Sequence, residues 1–74
     1  MKLNVIANNQ TELHLNNGTI VFFSYNTPVA ARLENGTYVT TEEKYSPTTT
    51  KHVNKWLMNQ GYSTVTQEFI EELL

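Results

Sequence analysis

The sequence predicts an α+β domain: a small, curled antiparallel sheet of four or five strands, one helix packed on it, and a short C-terminal helix. Three observations predict it. Asn-Gly occurs twice in matching surroundings, since Leu15-Asn16-Asn17-Gly18-Thr19-Ile20-Val21 returns as Leu33-Glu34-Asn35-Gly36-Thr37-Tyr38-Val39. Ser46-Pro47 opens one clear helical stripe, and Thr66 opens a second, shorter one.

In chain order, strands are expected at about 3–7, 11–15, 19–25, 29–34 and 37–41. Leu3–Ala7 is a short apolar run that Asn8-Asn9-Gln10 breaks. Each Asn-Gly pair tolerates positive φ at both central positions of a type I′ turn, and β-formers flank it, so two hairpins follow, roughly 11–24 and 29–41. A repeat seen twice fits a meander and is too little for a solenoid. Two-residue loops would set Leu15 against Ile20 and Leu13 against Phe22 on one core face, leaving Glu12, His14, Val21 and Phe23 on the other. In the second hairpin Leu33 would oppose Tyr38, and Arg32 would oppose Val39.

The first helix is expected over about 47–60. Ser46 is its N-cap and Pro47 suits the first helical position, where a missing N–H costs nothing. Thr49, Val53, Trp56, Leu57 and Gln60 recur at helical spacing, and Gly61 offers a stop. Tyr62-Ser63-Thr64-Val65 reads as extended. Thr66 then caps a helix over about 67–73, with Glu68 near its positive end and Phe69, Ile70 and Leu73 as its apolar side. That helix is too short to persist without packing.

Composition narrows the function classes. The 74 residues (1–74) make one domain of marginal core, which leaves room for a homo-oligomer. There is no cysteine, which removes disulfides and thiolate metal sites. A net charge of -2 and a pI near 5.5 argue against a surface built for nucleic acid or acidic membrane. Met1–Asn8 falls short of a signal sequence and no run approaches a membrane span, so a cytoplasmic setting is expected.

The chemistry-bearing residues gather at the start of the first helix. Ser46, Thr48, Thr49, Thr50, Lys51, His52 and Lys55 place hydroxyls, free N–H groups and cations together, an arrangement able to hold an anion. Capping and packing ask for the same residues, and no Gly-rich phosphate loop accompanies them. His52 stands one turn before Trp56, so the two rings can touch; a hydrogen bond to a carbonyl or a threonine hydroxyl is its expected role. A general base would need an activated nucleophile and an orienting carboxylate, and neither Ser24 nor Ser46 is marked as one. His14 and His52 lie far apart, so no metal or cofactor is expected. Phe23 and Tyr25 form an aromatic patch suited to protein contact, or to stacking bases.

Ser24-Tyr25-x-Thr27-Pro28-Val29-Ala30 and Tyr45-Ser46-x-Thr48-Thr49-x-Lys51-His52-x-x-x-Trp56-Leu57 carry a resemblance. Over about residues 20–58 the chain resembles an uncharacterised family of short proteins from bacteriophages and from bacterial genomes with phage-like content. The resemblance implies phage or prophage origin and expression in a bacterial host cell. It implies neither an activity nor a cofactor. The expected function is therefore that of a non-enzymatic accessory protein that binds a host or phage protein, inhibition of a host or defence factor being one form of it. The alternative is a nucleic-acid-binding regulator that meets phosphates through the start of the 46–55 helix.

Overall fold

The computed structural model describes Met1–Leu74. Its elements are β1 (Lys2–Ala7), β2 (Gln10–His14), β3 (Ile20–Ser24), β4 (Thr27–Arg32), β5 (Tyr38–Thr41), α1 (Pro47–Leu57), β6 (Tyr62–Val65) and α2 (Gln67–Glu71). The strands form one six-stranded sheet in sequence order. Strands β1 to β5 pair antiparallel, each with the next. The expected four or five strands become six because the extended run after α1 also joins the sheet. It pairs parallel to β5, from Tyr38 beside Tyr62 to Thr41 beside Val65. The helix supplies the crossover that a parallel neighbour requires.

The turns correct the expected register. Gly18 N–H donates to Leu15 O (3.2 Å) and Leu15 N–H to Thr19 O (2.8 Å), which closes a three-residue loop. Only the glycine takes positive φ, +94° at Gly18 and +89° at Gly36, so Asn-Gly ends a type I turn followed by a glycine bulge. Asn17 Oδ1 accepts the Thr19 N–H at 3.0 Å, and Asn35 does the same for Thr37. This bond rewards the asparagine for staying out of the left-handed region.

One extra loop residue shifts each ladder by one and exchanges its faces. Leu13 thus opposes Val21, and Glu12 opposes Phe22. In the second hairpin Arg32 opposes Tyr38, and Ala31 opposes Val39.

Each helix covers one face of the β3–β5 half. On the first, Phe22, Val29 and Ala30 pack with Val53 and Leu57 of α1, joined by Tyr38 and Trp56. Trp56 stacks on Phe22 at 5.0 Å and meets Tyr38 edge-on at 5.7 Å. A bulge in the β3–β4 ladder lets the consecutive residues Val29 and Ala30 both pack on the α1 side, while Ala31 is buried on the other face. On the other face lie Val21, Ala31 and Val39, where α2 rests on β4 and β5 with Ile70 fully buried.

Ser46 caps α1 as expected, accepting the Thr49 N–H, and Thr66 caps α2. The helix stops earlier than expected, at Leu57. Met58 turns left-handed at φ 47°, its N–H on Asn54 O, and Asn59 follows at φ 69°. Gly61 therefore lies beyond the stop, and Gln60 is exposed. The regular part of α2 ends at Glu71, after which Leu73 and Leu74 tighten into i→i+3 bonds. No helix is long and apolar enough to cross a membrane.

Candidate functional site

The expected site residues divide between two faces. Strand β3 alternates, so Phe22 and Ser24 face α1 while Phe23 faces the opposite side. Tyr25 begins the turn into β4 with φ 58°, a left-handed backbone uncommon for a bulky residue. Its N–H is held by Asn9 O at 2.8 Å. Its ring lies 5.8 Å from that of His52. The contact expected between His52 and Trp56 is thus replaced by contacts of each with the sheet: His52 meets Tyr25, and Trp56 stacks on Phe22.

Between β3 and α1 runs a line of hydroxyls. Ser24 Oγ and His52 Nδ1 are 2.8 Å apart, and Ser24 donates to Thr49 Oγ1 at 3.1 Å. Thr49 Oγ1 also accepts from Ser46 Oγ at 3.3 Å. The Ser24 hydroxyl thus bridges Thr49 and the His52 ring, and the direction of the bond to Nδ1 follows the imidazole tautomer. Nucleophile activation requires a histidine that accepts the serine proton and a carboxylate that orients it, and His52 bonds no carboxylate. Ser24 is only 1% exposed. The group is a polar clamp that ties helix to strand, and His52 meets a serine hydroxyl in place of the expected carbonyl or threonine hydroxyl. Sequence reasoning noted Ser24 as a free hydroxyl and missed its partnership. The signal was the period-2 alternation that puts Ser24 on the same face as Phe22.

The rest of the helix start is local or solvated. Thr50 donates its hydroxyl to Ser46 O at 3.4 Å, and Thr48, Lys51 and Lys55 are exposed. Glu12 is a second unanticipated participant. Its Oε2 accepts the Trp56 indole N–H at 2.7 Å, and its Oε1 lies 3.0 Å from His14. No three His, Asp or Glu side chains converge as a metal site.

On the α2 side, the far half of the sheet stays uncovered. Leu3 pairs with Leu13 and Val5 with Thr11, on the same face as Val21 and Phe23. Leu3 is 64% and Val5 75% exposed. Leu3, Leu13, Phe23 and Tyr25 rim a shallow hollow of about 230 Å³. Tyr45, in the linker before α1, has its phenol raised above the usual range, first by burial and then by the charges of Glu43 and Glu71.

The fold defines the class: a six-stranded, mostly antiparallel open sheet with a helix on each face. Residues 1–72 match the Family of unknown function (DUF8033), and the chain belongs to that family. No curated protein and no solved structure matches it.

Proposed function

We propose that this protein is a non-enzymatic accessory protein of phage or prophage origin that binds another protein in the cytoplasm of a bacterial host, with inhibition of a host or defence factor as one outcome. One observation carries the reading. The apolar sheet face formed by Leu3, Val5, Leu13 and Phe23 has no helix over it, and Tyr25 extends it at the loop. Aromatic and aliphatic side chains grouped in this way are what a protein interface needs. The left-handed backbone of Tyr25 adds support, because strain of this kind gathers at binding sites.

The rival, nucleic-acid reading draws on Lys51 and Lys55, exposed one turn apart on α1. Against it stand the net charge of -2 and the exposed Glu42 and Glu43 before the helix. The test is a tagged pull-down from bacterial lysate, with and without nuclease, at low and moderate salt, comparing the wild type with Val5→Glu. Val5 is exposed, so the change should leave stability within about 0.5 kcal/mol. The expected result is one protein retained through nuclease and salt by the wild type and lost by Val5→Glu. Retention that disappears with nuclease or modest salt would transfer the proposal to nucleic acid.

A further inference from the structure

On the opposite face, the C-terminal half of α1 and the first strands enclose an open cleft of about 350 Å³. Ile6, Ile20, Trp56 and Met58 supply apolar wall, and Arg32 and Lys55 stand at it as cations. A cleft of this size with apolar walls and few polar groups has the general form of a small-molecule site.

The charges decide what it would hold. Of the five cationic residues, four are exposed, and Arg32 alone is half-buried. Its guanidinium makes no side-chain hydrogen bond, and the one ion contact in the chain, His14–Glu12, does not involve it. Glu12 is the only carboxylate at the cleft, and both its oxygens are engaged, one by Trp56 and one by His14. The cleft therefore carries two cations against the single charge of Glu12, and neither cation is in an ion pair. The Arg32 guanidinium makes no bond within the chain and its nitrogens reach solvent, so its donors are open to an incoming anion, which would make charge-assisted hydrogen bonds with them.

We propose that this cleft binds a small organic carboxylate. Its apolar body lies along Ile6, Ile20, Trp56 and Met58, and its carboxylate is held by Arg32 with Lys55 as the second cation. The site is separate from the uncovered sheet face and stands whether or not that face binds a protein.

Trp56 is the single tryptophan, so its emission reports on the cleft. Hexanoate is titrated against the intact chain, with hexanol as the neutral probe of matching body. The expected result is a saturable change with hexanoate and a response to hexanol weaker by roughly tenfold or more, the size of one charge-assisted hydrogen bond. Arg32→Gln should weaken hexanoate roughly tenfold, with Arg32→Lys restoring part of the loss. Lys55→Gln, on the exposed side of α1, should weaken it by about twofold to threefold and keeps the test decisive should Arg32→Gln not fold. Val5→Glu should bind hexanoate as the wild type does, which separates this result from failure of the protein-binding proposal. No saturable change in the wild type, or equal response to the two probes with Lys55→Gln indistinguishable from it, would overturn the proposal.

Discussion

Ser24 shows how one small side chain can set the position of a helix. Its hydroxyl is buried, and it joins Thr49 and His52 of α1 to β3. Removing it leaves the half-buried His52 Nδ1 without that partner and the buried Thr49 hydroxyl with Ser46 alone. Ser24→Ala should therefore cost about 1–3 kcal/mol, read from the urea midpoint, because an unsatisfied buried group is worse than a missing bond. His52→Ala in that background should add less than it does alone, since the two act as one network. Of this clamp, the sequence made the cap at Ser46 legible, whereas for His52 it pointed to a carbonyl or threonine partner and the structure supplies Ser24. The partner was hidden because it comes from a strand whose register rested on a turn geometry, and local pattern does not reveal which strand faces which helix.

At the scale of elements, α2 depends on what it touches. Its regular span, Gln67–Glu71, is too short to hold alone. Ile70 anchors it on β4 and β5 beside Val21, Ala31 and Val39, while Gln67 donates to Pro28 O at 2.7 Å. Ile70→Ala should cost about 2–5 kcal/mol in a denaturant titration, with loss of α2 helicity. Helix starts were legible from Ser46-Pro47 and Thr66, and both hairpins from Asn-Gly. The details that failed have separate causes. Asn-Gly serves two turn types whose loops differ by one residue, and the choice rests on the Asn17 and Asn35 side-chain bonds. The stop of α1 comes from Met58 and Asn59 in left-handed geometry, with no glycine to announce it. The sixth strand was seen as extended, but its partner lay across a helix, where local pattern carries no pairing information.

For the molecule as a whole, the acidic side chains of distant segments meet near one phenol. Tyr45 is 45% exposed, yet partial burial and then Glu43 and Glu71 favour its neutral form when folded. Below the ordinary phenol value of 10.0 both states keep the proton, and stability does not respond. Above it the unfolded chain releases its proton first, so stability should fall as pH rises towards the higher folded value. Tyr45→Phe should flatten that alkaline decline in denaturant midpoints measured across it. Solvent screening at this half-open position keeps the slope small.

The parallel pairing of β6 also imposes an order of assembly. Strands β1 to β5 meet neighbours only a short loop away, so their contacts close cheaply in chain entropy and can form early. β6 finds β5 only after α1 has crossed the sheet, and α2 follows β6 in the chain. The last segment to arrive is thus the one that closes over Val21, Ala31 and Val39. Until it docks, those residues are continuous with Leu3, Leu13 and Phe23, and the nascent chain presents one adhesive strip across the sheet. The C-terminal segment thus covers the β3–β5 half of that strip, and the β1–β2 half stays open in the finished fold.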